Sequence, residues 1–344
     1  MRERSQREHG RAGYLPEPRN EGGMRGRDLF LLAALAAIWS ASFLFIKIAL
    51  VDVTPTFIVL ARLVFGSLTL LVSIPLLRNR VPELLPNTED GGGMTKNLTS
   101  LRWPLLFLGA VNAVLPYAAI AWGEKFIASG TASIFNSTVP LFTALLVLAL
   151  PFFLEERPNL LGLAGLALGF VGVGILVTSD LGDGGGAERF AVLLGGGAVL
   201  LGSLSYAVGN VYARRRLEGV PVLVSAVGQN LGGVLVVLPF ALAFGLPEEL
   251  PSLATVAALV GLGAGGTGIA YLLYFGLIAR VGATKTSTVA YLMPAIALFY
   301  GAVFLGEIFT LRALVGLALI LAGVAGVTGA LRLPKRLRRE PPTH

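Results

Sequence analysis

Two basic residues lie inside long apolar stretches of this 344-residue chain. Lys47 is near the end of the first stretch, and Arg62 is about two helical turns into the second. A charge inside hydrocarbon costs ~2.5–3.5 kcal/mol on insertion scales, so it usually serves a purpose. Both side chains are therefore candidate contacts for an anionic group such as a carboxylate. The alternatives are that Lys47 extends to the membrane interface and that Arg62 bonds to a neighbouring helix.

Neutral polar and aromatic side chains in other apolar stretches could together bind a small organic molecule. They are Trp39, Ser42, Phe43, Tyr117, Asn136 and Ser137 in the first half of the chain, and Tyr206, Asn210, Tyr271 and Tyr291 in the second. Taken singly, each hydroxyl or amide is better explained by a hydrogen bond between helices. Their occurrence in equivalent stretches of both halves favours one shared cavity.

The sequence supplies few groups for other chemistry. It contains no cysteine, and its two histidines, His9 and His344, lie outside the apolar stretches. No carboxylate lies in the middle of such a stretch, and Glu156 and Glu307 follow the ends of two of them. Helix capping or a salt bridge is the expected role of both glutamates. No metal site, cofactor or enzymatic activity is predicted.

Membrane-spanning helices are the elements that must position these residues. The chain is 55% hydrophobic and only 14% charged, with a mean hydropathy of +0.77. A transmembrane helix needs ~20 mostly apolar residues, which predicts an all-α membrane protein with ten transmembrane helices. The predicted helices are Asp28–Leu50, Thr56–Leu77, Trp103–Trp122, Gly130–Phe153, Asn159–Thr178, Phe190–Tyr212, Pro221–Phe244, Ser252–Ile278, Thr286–Leu305 and Leu311–Leu331. Three glycine pairs with GxxxG spacing predict close packing between helices: Gly165/Gly169, Gly228/Gly232 and Gly261/Gly265.

The chain also repeats itself. Aligning Pro140 with Pro294 brings Ser133 onto Ser287, and each apolar run then ends at a glutamate. Both prolines are expected to bend their helices beside a cavity. In a second aligned stretch, Arg62 falls on Gln229 and Gly66 on Gly233.

Five helices in each copy make an odd number, so the second copy enters the membrane from the opposite side. This predicts two inverted five-helix repeats. The predicted divisions are a disordered tail at 1–27, repeats at 28–178 and 190–331, a glycine-rich linker at 179–189 and a basic tail at 332–344.

The positions of lysine and arginine predict the orientation. With both termini inside, the inner segments hold 22 of these residues and the outer loops hold three: Lys125, Arg189 and Arg312. Cytoplasmic segments of membrane proteins carry this excess, which predicts a multi-pass cell-membrane protein with both termini in the cytoplasm. The net charge of +7 then faces anionic lipid, and no nucleic-acid partner is expected.

Several short motifs resemble those of one transporter family. They are Ala37–Phe43 in the first predicted helix, Arg62, Asn136–Pro140, and Leu305–Glu307 followed by a glycine-rich helix. In this order, and repeated over residues 28–331, they resemble the EamA family of the drug/metabolite transporter superfamily. The resemblance implies a secondary transporter of small organic solutes such as amino acids, metabolites or drugs, with export common among relatives.

The resemblance further implies alternating access about a cavity lined by predicted helices 1, 3, 4, 6, 8 and 9. Without a carboxylate inside a predicted helix, transport is expected to depend only weakly on a pH gradient. The rival hypotheses are an intramembrane enzyme and a membrane sensor that transports nothing. An enzyme would need a metal set, a Ser/His pair or two carboxylates at membrane depth, and the sequence supplies none of these.

Overall fold

The structure, a computed structural model, describes residues 24–78, 93–150, 158–180 and 185–330. Over these residues it is helical throughout, with turns and short connections but no β-strand. The C-terminal tail, most of the N-terminal tail and Glu156 lie outside the described residues, as do 181–184 of the predicted linker.

Helices occur at all ten predicted places, within a few residues of the predicted ends. Eight are long and apolar enough to cross a membrane, and two apolar helices of 17 residues are shorter. The eight are α1 Gly26–Ala49, α2 Pro55–Arg78, α3 Arg102–Gly123, α4 Ser129–Ala149, α5 Leu160–Asp180, α6 Gly186–Arg216, α7 Val222–Phe244 and α8 Leu253–Val281. The shorter two are α9 Val289–Leu305 and α10 Leu311–Val327. Two short helices, Gly93–Ser100 and Ala283–Thr286, precede α3 and α9.

Three of the helices depart from regular α-helical geometry. A π-helical segment interrupts α3 at Ala110–Val114 and α8 at Gly261–Ile269. The helix α4 is broken between Ser129–Asn136 and Val139–Ala149. Pro140 lies in the first turn of the second part, where a missing N–H costs no intrahelical bond, so the break precedes it. Pro294 lies inside α9 and does remove one.

Glycine faces allow neighbouring helices to touch backbone to backbone. A methyl group on Gly323 of α10 would lie 2.6 Å from both the carbonyl oxygen of Gly165 and the Cα of Gly169 on α5. A methyl group on Gly232 of α7 would lie 2.8 Å from the carbonyl oxygen of Leu105 on α3. The predictions for Gly165/Gly169 and Gly228/Gly232 are therefore confirmed, because a side chain at these positions would push the helices apart. For Gly261/Gly265 the prediction is wrong at Gly265, where a methyl group would meet nothing within 4 Å.

Two polar contacts show which helix ends share a face of the molecule. At the start of α1, Asp28 forms an ion pair with Arg280 near the end of α8, at 2.7 Å. On the opposite face Asp52, which follows α1, accepts hydrogen bonds from the Ser252 backbone N–H at 2.9 Å and from the Thr255 hydroxyl at 2.7 Å. The helices α1 and α8 therefore run antiparallel.

Candidate functional site

Arg62 lies inside the protein at the contact between α2 and α8. Its side chain is 8% exposed, and its Nε donates a hydrogen bond to Thr267 Oγ1 at 3.1 Å. The guanidinium carbon lies 3.8 Å from the centre of the Tyr117 ring, which is a cation–π contact. Among the described residues, Arg62 forms no ion pair with a carboxylate. A buried guanidinium therefore keeps donors that an anion could use.

Polar and aromatic side chains from four other helices, α3, α6, α7 and α8, surround this arginine. Tyr206 on α6 meets the edge of Tyr117, with ring centres 6.2 Å apart. Asn112 on α3 donates to the Gln229 side-chain oxygen at 2.9 Å, and Gln229 Nε2 lies 3.5 Å from the Tyr271 hydroxyl. We name this group the Arg62 cluster. Its members are Arg62, Asn112, Tyr117, Tyr206, Gln229, Thr267 and Tyr271.

Glycines and π-helical segments bring the cluster together. A methyl group on Gly66 would lie 2.7 Å from Thr267 Cγ2, so α2 can approach the π-helical segment of α8 only because residue 66 has no side chain. Asn112 itself lies within the π-helical segment of α3, and Thr267 within that of α8. Such segments reorient side chains within a helix and are frequent at functional sites.

Four of the predicted site residues belong to the cluster: Arg62, Tyr117, Tyr206 and Tyr271. Ser42 on α1 lies next to the cluster, since a methyl group on Gly266 would lie 2.8 Å from its hydroxyl oxygen. This hydroxyl is buried and has no hydrogen-bond partner among the described residues. Trp39, one turn earlier, packs on Tyr274 with ring centres 5.3 Å apart. Phe43 is 4% exposed and lies in the apolar core.

The remaining predicted residues lie elsewhere or form local bonds. The Tyr291 hydroxyl is 2.7 Å from Thr328 Oγ1, at the end of α10. Asn210 is exposed, and the Ser137 hydroxyl donates to the Ile134 carbonyl of its own helix at 2.6 Å. Asn136 has an enclosed side-chain oxygen without a hydrogen-bond partner among the described residues.

Sequence reasoning did not assign Gln229 or Thr267 to the site. The alignment of Gln229 with Arg62 was the available signal, and in the structure each of these residues bonds to a π-helical segment in the other half of the chain. Thr267 has no such signal, since a threonine in an apolar helix is ordinarily explained by a bond to its own backbone.

A second polar group lies near the end of α1, away from the Asp28 face. Lys47 Nζ donates to the backbone carbonyl oxygens of Glu124 and, at 2.9 Å, of Ile127. Glu307 accepts hydrogen bonds from the Ser129 backbone N–H at 2.7 Å, the Ser129 hydroxyl at 3.0 Å and the Gly130 N–H at 3.1 Å. Glu307 thus caps the N-terminus of α4, which is the predicted capping role.

Glu124 is the carboxylate that sequence reasoning missed. Because Glu124 directly follows α3, its position in the sequence predicts a short polar loop. In the structure its side chain is fully buried, at 0% exposure. A buried carboxylate thus exists close to the membrane-spanning helices, although none lies in the middle of an apolar stretch.

Comparison with known proteins identifies the chain's family. The model of the EamA-like transporter family matches residues 27–178 and 193–329. The chain is 28% identical over 309 residues to the inner membrane transporter YedA of Escherichia coli strain K12, covering 89% of this chain and 93% of YedA. It is 27% identical over 321 residues to a protein of Streptantibioticus cattleyicolor named a probable terminal-alkyne amino-acid exporter, covering 92% and 97%.

A solved crystal structure shares the fold, with a TM-score of 0.59 and 20% sequence identity over 89% of this chain and 98% of that one. The two matched segments account for most of the chain, and the relatives are named as transporters. This protein is therefore a membrane transporter that belongs to the EamA-like transporter family.

Proposed function

We propose that this protein is a secondary transporter that exports small organic solutes bearing an anionic group, such as amino acids, across the cell membrane by alternating access. The observation that carries the proposal is the buried Arg62, which has no carboxylate partner among the described residues. A charge kept at membrane depth is costly unless it has a use, and the planar guanidinium suits a carboxylate.

The rest of the Arg62 cluster supports an organic rather than an inorganic anion. The rings of Tyr117 and Tyr206 offer apolar faces beside the guanidinium, while Asn112 and Gln229 offer amide groups. An amino acid carries a carboxylate, an ammonium and a side chain, and this mixture of groups can address all three. The exporter named for amino acids among the relatives supports the same substrate class and direction.

Equivalent contacts in the two halves support an inverted repeat of ten membrane-spanning helices, at 28–178 and 190–331. A methyl group on Gly66 would lie 3.4 Å from the Gly263 carbonyl, and one on Gly233 would lie 3.4 Å from the Gly109 carbonyl. Helix α1 packs against α9 as α6 packs against α4, and α2 against α8 as α7 against α3. Both α3 and α8 contain a π-helical segment at this contact.

Counterflow in proteoliposomes tests the proposed function. Vesicles preloaded with one unlabelled L-amino acid at a time should take up a trace of the same radiolabelled amino acid, for at least one member of the panel. Organic cations of similar size should exchange much more slowly, because the guanidinium of Arg62 repels them. Exchange of cations but of no carboxylate-bearing solute would contradict the substrate class.

The proposed orientation places both termini and Arg214–Arg216 in the cytoplasm, and the linker 179–189 outside. The natural chain has no cysteine, so single cysteines report without background. Gly185→Cys is expected to react with a membrane-impermeant thiol reagent on intact cells, and Glu218→Cys only after lysis. A methyl group on Gly185 meets nothing within 4 Å and Glu218 is exposed, so both variants should fold. Labelling of position 218 but not 185 on intact cells would reverse the orientation.

Asn136 and Tyr291 are expected to differ when substituted. The proposed pathway also passes the break in α4, where Asn136→Ala removes an acceptor that has no partner among the described residues, so the KM for counterflow should rise about 3- to 10-fold. Tyr291→Phe removes only the bond to Thr328, so it should lower thermal stability and leave KM unchanged. The KM for counterflow, measured on purified, monodisperse variants, tests whether Asn136 contacts the substrate. An unchanged KM in Asn136→Ala would show that Asn136 is not part of the site.

A further inference from the structure

The carboxyl group of Glu124 is buried at the turn between α3 and α4 and accepts no hydrogen bond from the described residues. Its side chain is 0% exposed, and neither Oε1 nor Oε2 has a hydrogen-bond partner among the residues that the structure describes. Burial of an ionised carboxylate without hydrogen bonds costs far more than burial of the neutral acid. The surroundings of Glu124 therefore favour a protonated carboxyl group.

Three charged side chains act on Glu124, and none of them forms a hydrogen bond with its carboxyl group. Lys47 on α1 directs its ammonium to the backbone carbonyls of Glu124 and Ile127 rather than to the carboxyl group. Arg62 on α2 and Glu307 after α9 also act on it electrostatically. Other charged side chains on the surrounding elements are exposed: Asp52, Lys125, Glu188, Arg189 and Arg312.

Burial raises the pKa of the Glu124 carboxyl well above its usual range. The positive charge of Lys47 opposes this shift, the negative charge of Glu307 adds to it, and Arg62 opposes it more weakly. The pKa is thus set by a balance that the position of one lysine side chain can change.

We propose that Glu124 is a proton-binding site that couples substrate transport to proton movement, an inference that rests on the proposed transport function. In the conformation described, the carboxyl group carries a proton. When the helices rearrange and Lys47 leaves the turn carbonyls for the carboxyl group, the proton passes to water and the ammonium stabilises the carboxylate. One proton is thus taken from water on one side and released on the other. This replaces the expectation of weak pH-gradient dependence.

A cavity lies beside the turn that follows Glu124, although Glu124 itself does not line it. Its volume is about 270 Å³, and it lies between the residues that follow Glu124 and those that follow Glu307. The lining includes Phe126, Ile127, Ala128, Ile308, Phe309 and Thr310. The same two segments hold the two carboxylates, so a small separation between them would open Glu124 to water.

Two transport assays with Glu124→Gln test the proposal, using the radiolabelled L-amino-acid panel in proteoliposomes. Glutamine imitates the protonated acid but cannot release a proton. Accumulation driven by a pH gradient at fixed membrane potential is expected in the natural protein and lost in Glu124→Gln, which should still exchange substrate in counterflow at equal pH. Glu248→Gln is the matched control: this carboxylate is exposed in the loop before α8, and both activities should persist.

The outcomes separate this inference from the proposed function. Counterflow without any effect of the pH gradient in the natural protein overturns the proton site and leaves the transport function standing. Gradient-driven accumulation that persists in Glu124→Gln also overturns it. Absence of counterflow for every solute of the panel contradicts the proposed substrate class, and the proton site is then decided by the next measurement.

Thermal unfolding against pH tests proton binding without a substrate. The folded protein holds a proton on Glu124 that the unfolded chain releases above the ordinary glutamate pKa, so stability falls as pH rises from that value to the raised pKa. Glu124→Gln lacks this loss. Its Tm minus that of the natural protein should therefore increase with pH across this window, and a difference that stays constant with pH would overturn proton binding.

Discussion

Substitution of Arg62 by glutamine is expected to lower kcat/KM for transport about 10- to 100-fold, because a charge-assisted hydrogen bond to the substrate is worth about 1.5–3 kcal/mol. The guanidinium is buried, donates to Thr267 Oγ1 and lies over the Tyr117 ring, so it is already oriented before substrate arrives. Glutamine can donate a hydrogen bond but brings no charge. Initial rates of counterflow across a range of substrate concentrations measure the loss.

Two further variants separate binding from folding. Arg102→Gln removes an exposed arginine at the start of α3, so transport should be unaffected. Thr267→Val keeps the shape but removes the acceptor for Arg62 Nε, so KM should rise while the yield of folded protein holds. If folded Arg62→Gln transports as the natural protein does, Arg62 serves only to join α2 to α8 and the substrate site lies elsewhere.

Gly323→Leu is expected to abolish most of the folded protein. A methyl group there would already lie 2.6 Å from the Gly165 carbonyl oxygen and from Gly169 Cα, and neither backbone atom can turn away as a side chain can. The two helices would have to separate along their length, at a cost of about 3 kcal/mol or more. Fluorescence-detected size-exclusion chromatography of detergent extracts measures the yield and dispersity of the variant.

Gly174→Leu provides the matched control for this prediction. Gly174 lies on α5, the helix against which Gly323 packs, but a methyl group on Gly174 meets nothing within 4 Å and the position is exposed. Leucine there should also favour the helix by roughly 0.5–1 kcal/mol relative to glycine. A normal yield for Gly174→Leu with a collapsed yield for Gly323→Leu locates the effect in the α5–α10 contact, whereas equal yields would show that this contact tolerates separation.

The sequence by itself determined the helices and their class. Stretches of about 20 apolar residues can satisfy their backbone hydrogen bonds in a bilayer only as helices, so composition and length predict helices wherever such stretches occur. The structure has one at each predicted place. The GxxxG spacing likewise predicted contacts between helices, because only glycine fits at position 232, where a methyl group would lie 2.8 Å from the Leu105 carbonyl oxygen. Arg62 was identifiable because a charge in an apolar helix is costly wherever the helix lies.

Only the tertiary structure decided which polar residues meet. Tyr291 and Tyr271 occupy similar sequence surroundings, yet one bonds to Thr328 at the end of α10 and the other approaches Gln229. Glu124 shows the same limit, since its position after α3 predicts a solvated loop. In the structure Glu124 is fully buried instead, and Lys47 of α1 donates a hydrogen bond to the backbone carbonyl oxygen of Glu124. Burial and pairing depend on helix rotation and on neighbours from the other half, which no local pattern encodes.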